Sequence, residues 1–135
     1  MTDFPITIYH NTKCGTSRNT VAMVEAAGYA PTVVEYLKSG WSAPQLAELV
    51  KAAGGTAQDL LRVKGTRAEE LGLTAPGTPD DTIIAAMVAD PILVNRPIVV
   101  TPKGTRLCRP SELVLDLLDR KPAGFTKEDG EVVKI

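Results

Sequence analysis

The order of elements in the sequence predicts an α/β fold. It is a four-stranded mixed sheet made from a βαβ unit and a ββα unit, with a helical insertion between the halves. Three observations carry that expectation. A short apolar strand, a helix and a second strand follow one another before residue 37. From about residue 41 to residue 90 the apolar residues keep only helical spacing. From Ile98 onward the period changes to strand, turn and strand, and a last helix follows.

The first strand is Ile6-Thr-Ile-Tyr9. It runs into a polar, turn-forming stretch, His10 to Arg18. Val21 and Val24 then mark the inner face of a helix filled by Ala22, Met23, Ala26 and Ala27, and Gly28 is placed to stop it. Pro31-Thr-Val-Val-Glu-Tyr36 reads as the second strand, parallel to the first because a crossover helix joins them. Leu46, Leu49, Val50 and Ala53 give a helix over Ala43–Ala53, ended by Gly54-Gly55. Short helical pieces are expected at Ala57–Leu61 and Arg67–Leu71. Thr78-Pro79-Asp80-Asp81 predicts another helix start, with the Thr78 hydroxyl as cap and Ile83, Ile84, Met87 and Val88 as the buried stripe. Ile98-Val-Val-Thr101 and Thr105-Arg-Leu-Cys108 form an antiparallel hairpin across Pro102-Lys-Gly104. Pro110 opens the last helix, with Leu113, Val114, Leu117 and Leu118 facing inward, and a turn-rich tail follows from Lys121. βαβ plus ββα around four strands is the thioredoxin-like arrangement. Residues 1–135 read as one domain, with no repeat and no long linker.

Composition narrows the function. The 135 residues are 44% apolar and 23% charged, ordinary globular usage. Lys+Arg is 15 and Asp+Glu 16, a net charge of -1, so there is no bulk attraction to nucleic acid or to an anionic membrane. No apolar run approaches a bilayer span. Met1-Thr-Asp-Phe-Pro-Ile lacks the basic start and apolar stretch of a signal peptide, so the expected location is the cytoplasm. With one histidine and two cysteines, a zinc site would need carboxylates or a second subunit, and no metal is expected.

Cys108 reads as an inert buried thiol. Cys14 reads differently because it lies between a strand end and a helix start. A thiol there feels the positive end of the helix dipole and several unpaired N–H groups, which favour the thiolate. The same N–H groups bind oxyanions, and Gly15 lets backbone approach one closely. Thr16 and Ser17 add hydroxyls, and Lys13 and Arg18 add positive charge. The combination is a nucleophile aimed at an oxyanion. Each member also has a plainer reading: Thr16 and Ser17 as helix caps, Arg18 as a solvated charge, and His10 as a satisfied structural histidine rather than a group that lowers the Cys14 pKa or orients the loop. Ser17 stands where a dithiol oxidoreductase carries its second cysteine, so Cys14 has no neighbour with which to close a disulfide. An outside thiol must resolve any intermediate, unless Cys108 comes into range.

His-Asn-Thr-Lys-Cys-Gly-Thr-Ser-Arg-Asn-Thr at 10–20 closely resembles the active-site loop of the glutaredoxin-linked arsenate reductases. Pro91-Ile-Leu-Val-Asn-Arg-Pro-Ile-Val-Val-Thr-Pro102 and Gly104-Thr-Arg-Leu-Cys-Arg-Pro-Ser-Glu112 resemble the same family. Leu60-Leu-Arg62, Glu69-Glu-Leu-Gly72 and Phe125-Thr-Lys-Glu-Asp-Gly130 extend the likeness over nearly the whole chain. The chain departs most from the family pattern between Gly40 and Asp90, around Lys64-Gly-Thr66 and Pro76-Gly-Thr78.

The resemblance implies a thioredoxin-like fold and reduction of arsenate to arsenite by a monothiol mechanism. Glutathione would be co-substrate, glutaredoxin the partner, and no cofactor would be bound. It puts the catalytic cysteine on Cys14, the thiol-activating histidine on His10, and three oxyanion-binding arginines on Arg62, Arg96 and Arg109. Guanidinium forks pair oxyanions bidentately and stay charged, so the set is chemically consistent. The family's cis-proline, opposite the cysteine, falls on Pro97, although only about 5–6% of X–Pro bonds in folded proteins are cis. Two other readings keep the fold. One is a glutathione-dependent thiol reductase acting on another substrate, which three arginines disfavour. The other is a polymerase-binding regulator, whose usual Cys-x-x-Cys switch Ser17 precludes.

Overall fold

The computed structural model describes residues 4–135; Met1, Thr2 and Asp3, where the leader reading begins, lie outside it. The chain divides into two compact units. One runs up to Glu35 and resumes at Arg96, and the other takes Tyr36–Asn95.

In the first unit, β1 (Thr7–His10), β2 (Thr32–Glu35), β3 (Ile98–Thr101) and β4 (Gly104–Leu107) form the predicted four-stranded mixed sheet, in the order β2-β1-β3-β4. β1 pairs parallel with β2, Ile8 opposite Val33. It pairs antiparallel with β3, Ile8 opposite Val99. β3 and β4 close the hairpin. α1 (Gly15–Ala26) is the crossover, and Gly28, at φ +96°, stops it as the sequence indicates. Ile8, Met23, Val24, Val99, Cys108 and Val114 are fully buried in one cluster between the sheet, α1 and the segment after Pro110. Truncating one of the larger of these, such as Met23→Ala, would cost about 2–5 kcal/mol.

The last helix is a 3₁₀ helix, Ser111–Leu117, rather than the α-helix its spacing suggested. Three residues per turn put Ser111, Val114 and Leu117 on one face, and all three are buried. Leu115 is buried as well, while Leu113 is only half-buried. The carbonyls at its end are taken by side chains of the β3–β4 hairpin. The Thr101 hydroxyl donates to Leu117 O at 2.8 Å and the Lys103 ammonium to Leu118 O at 3.1 Å. The tail expected to be irregular forms a small hairpin, β5 (Phe125–Thr126) with β6 (Val132–Val133). Its turn is closed by Gly130 N–H on Lys127 O at 2.9 Å, with Gly130 at φ +93°.

The second unit is helical. Tyr36 ends the predicted second strand early by starting a four-residue helix, α2 (Tyr36–Ser39). α3 (Ala43–Ala53) carries a Ser42/Gln45 capping box and ends on Gly54 at φ +78°. A 3₁₀ turn (Ala57–Leu60) and α4 (Asp80–Ala89) follow. Arg67–Leu71 makes one hydrogen-bonded turn, Leu71 N–H to Arg67 O at 2.9 Å, and no helix. Thr78 does not cap α4; its hydroxyl turns back to Ala75 O at 2.7 Å. Asp80 caps elsewhere, accepting Ala57 N–H at 3.0 Å. Ile83, Ile84 and Met87 are buried as expected, but Val88 faces out. Among the described residues no helix is long and apolar enough to cross a membrane.

Candidate active site

β1 ends at His10, and a tight turn closed by Cys14 N–H on Asn11 O at 3.0 Å delivers the chain to α1. The Asn11 side chain accepts Lys13 N–H at 2.9 Å and fixes that turn. Cys14 is the residue preceding α1; its backbone is extended, and its carbonyl accepts the first helical bond from Arg18 N–H at 3.0 Å. The sulfur therefore sits at the open N-terminal end of α1, as the sequence predicts.

Arg96 and Arg109 come to the same place from the other half of the unit. Arg109 Nη1 lies 3.5 Å from Cys14 Sγ and donates to Arg96 O at 2.9 Å. The Arg96–Pro97 bond is cis, as expected, and so is Arg109–Pro110. Cys14, Gly15, Thr16, Arg96 and Arg109 line one pocket of about 420 Å³. Burial pushes the Cys14 thiol up. The Ser17 backbone N–H, the Arg109 hydrogen bond, and the charges of Arg96 and Arg109 outweigh it and hold the thiol below its ordinary value. The site thus sets a thiol whose ionised form is favoured beside two guanidinium groups and a helix N-terminus, an arrangement suited to attack on an oxyanion.

His10 is buried, and its Nδ1 shares a 2.6 Å hydrogen bond with Ser17 Oγ, which also accepts Asn11 N–H at 3.1 Å. Burial pushes the His10 pKa down, a tendency Glu35 opposes and Arg18 reinforces. A neutral imidazole does not lower the Cys14 pKa by charge. Of the two actions considered for His10, the geometry provides the second, orientation of the loop through Ser17. Ser17 does not cap α1 with its hydroxyl, which is turned to His10 and Asn11. The Thr16 carbonyl accepts the Thr20 hydroxyl at 2.9 Å.

Arg18 is held in an ion pair rather than left as a solvated charge. Its Nε and Nη2 pair with the two Glu128 oxygens at 2.8 and 3.0 Å, and Nη1 holds Thr12 O at 2.7 Å. Arg62 belongs to the second unit, just after the Leu61–Val94 bridge, where its Nε donates to Lys64 O at 3.1 Å. Cys108 is fully buried, and burial pushes its thiol up to about 12.

Sequence reasoning missed one wall of the pocket, Lys127, Glu128 and Asp129 on the turn of the β5–β6 hairpin. Glu128 N–H donates to the buried Asn19 side chain at 3.0 Å, which docks the turn on α1. The signal was present, because Asp129-Gly130 between Phe125-Thr126 and Val132-Val133 is a turn pair between short strand-forming segments.

Comparison with known proteins agrees with this geometry. Residues 9–117 match the ArsC family. The chain is 58% identical to arsenate reductase ArsI1 of Synechocystis over 134 residues, covering 98% of this chain and 93% of that protein. It is 54% identical to an arsenate reductase of Escherichia coli over 95% of this chain and 92% of that one. Among solved structures, an arsenate reductase from Vibrio cholerae superposes with a TM-score of 0.81 at 38% identity, covering 87% of this chain and all of the other. With its thioredoxin-like sheet and its cysteine–guanidinium pocket, this chain belongs to the ArsC family.

Proposed function

We propose that this protein reduces arsenate to arsenite, with Cys14 as the nucleophile and glutathione and glutaredoxin as the electron source. One observation carries the reading: the Arg109 guanidinium lies 3.5 Å from the Cys14 sulfur, in a pocket that Arg96 also lines. Such a pocket favours an anion that a thiolate can attack.

The Cys14 thiolate attacks arsenic, and an arsenate oxygen, once protonated, leaves as water. Arg96, Arg109 and the N–H groups at Gly15, Thr16 and Ser17 hold the remaining oxygens. The family resemblance gives Arg62 the third guanidinium of this set, and Arg62→Ala tests it. His10 positions the loop through Ser17. Glutathione then attacks the adduct, and two electrons pass from sulfur to arsenic. Glutathione is left in a mixed disulfide that glutaredoxin reduces. In sum, arsenate and two thiols give arsenite, one disulfide and one water. Phosphate fits the same charges but is not reduced by this route. Dependence on cellular thiols suits a cytoplasmic setting, where thiols are kept reduced.

The test is arsenite production from arsenate with glutathione and glutaredoxin supplied. Wild type turns over and folded Cys14→Ser does not. No turnover by folded wild type would sink the reading.

A further inference from the structure

The pocket is larger than its oxyanion. A tetrahedral anion fills only a small part of about 420 Å³, a volume in the range that holds ligands many times its size. Six charged side chains line it, and their commitments differ. Arg96 and Arg109 act on Cys14. Lys127 Nζ is held by Glu112 Oε1 at 2.8 Å and Glu131 Oε2 at 3.6 Å. Glu128 is clamped by both prongs of Arg18.

Lys13 and Asp129 remain. Neither has an ion-pair partner among the described residues. Lys13 adjoins Cys14 in the chain, and its backbone is fixed by Asn11. Asp129 sits on the hairpin turn with one oxygen, Oδ1, accepting Glu131 N–H at 2.9 Å. The turn itself is held by the Asn19 and Arg18 contacts. One uncommitted cation and one uncommitted anion thus face a common cavity that also contains the reactive sulfur.

We infer that this outer part of the pocket binds the thiol co-substrate as a zwitterion, with Asp129 holding its ammonium and Lys13 a carboxylate. A γ-glutamyl peptide thiol, the class to which glutathione belongs, carries both groups at a distance from its sulfur. Anchored there, its thiol is presented to the adduct on Cys14, which gains from proximity rather than from new chemistry. The inference rests on the reductase reading for its biological sense but not for its test.

S-methylglutathione, whose sulfur cannot react, is titrated into the intact protein without arsenate and followed by amide chemical shifts. Wild type binds it. Asp129→Asn and Lys13→Gln each weaken binding about three- to fivefold, as expected for an exposed charge pair. Both positions are exposed, and a thermal melt checks that each variant folds. The N-acetylated analogue, lacking the ammonium, binds wild type weakly and is indifferent to Asp129→Asn. Absence of binding by wild type, or binding by either variant as tight as by wild type, overturns the inference. Binding as described by a protein that makes no arsenite overturns the reductase reading and leaves the zwitterion site standing.

Discussion

His10 and Ser17, seven residues apart, share a buried 2.6 Å hydrogen bond that ties the end of β1 to the first turn of α1. Because Ser17 Oγ also accepts Asn11 N–H, one hydroxyl fixes both sides of the loop that carries Cys14. The bond makes the only histidine in the chain a reporter of that loop.

His10 titrates below its ordinary 6.5, chiefly because burial disfavours the imidazolium. In the unfolded chain the same ring takes its proton near 6.5, so between the two pKa values the unfolded state binds more protons. The neutral ring's contribution to stability is therefore complete above about pH 6.5. It falls as the pH drops below that value and levels off below the folded pKa. Histidine proton shifts and urea unfolding between about pH 7.5 and pH 5 check both statements. A titration at or above 6.5 would contradict them.

Arg109→Ala removes a hydrogen bond and a charge from Cys14 while burial stays in place. The thiol then shifts upward, toward its ordinary value, and the thiolate fraction near neutrality falls. Arg109→Lys keeps the charge but not the fork and falls between the two. The rate of iodoacetamide alkylation against pH reads this directly, and an unchanged midpoint in Arg109→Ala would refute it.

Much of this site was legible because it is local. A strand end, a polar turn with Gly15 and a helix start are sufficient to place Cys14 where a thiolate is favoured. The four strands were legible for a similar reason, since alternation and turn residues are short-range signals. The approach of Arg109 to Cys14, 95 positions away, depends on how β1, β3 and β4 align, and no periodicity encodes that; family resemblance supplied it. The uncharged state of His10 was hidden because it follows from burial, not from residue type. The last helix is 3₁₀ although Leu113, Val114, Leu117 and Leu118 fit an α-helical stripe. The buried set that includes Leu115 appears only when Thr101 and Lys103 capture the final carbonyls. The hairpin carrying Lys127–Asp129 has a local signal in Asp129-Gly130, but its docking against Asn19 joins residues 109 positions apart and has none.

Cys108 is fully buried and its thiol is pushed up to about 12, so it is a negligible nucleophile near neutral pH. In the native protein a thiol reagent should modify one cysteine, and in urea two. Cys108→Ser puts a hydroxyl in the apolar cluster and should destabilise by about 1–3 kcal/mol. Mass spectrometry after brief labelling and urea melts give the two readouts. Equal labelling of both native thiols would show that Cys108 is accessible.

Lys127 anchors the hairpin that forms the outer pocket wall, and the anchor is an ion pair with Glu112 at 2.8 Å. The Lys127 hydrogen bond holds the Glu112 carboxyl below its ordinary 4.5, and the Glu112 hydrogen bond raises Lys127 above 10.5. A depressed carboxyl contributes stability above its unfolded pKa and loses it as the pH falls through the folded one. The raised ammonium contributes below 10.5 and loses it as the pH rises through its own folded value. Lys127→Met keeps most of the apolar stem and removes the charge. It should lower stability by up to about 1 kcal/mol at neutral pH and by less in acid, as Glu112 takes up its proton. Urea midpoints of the two proteins at neutral pH and in acid separate charge from packing. A loss that vanishes in acid belongs to the ion pair, whereas an equal loss at both would assign the anchor to the buried lysine stem.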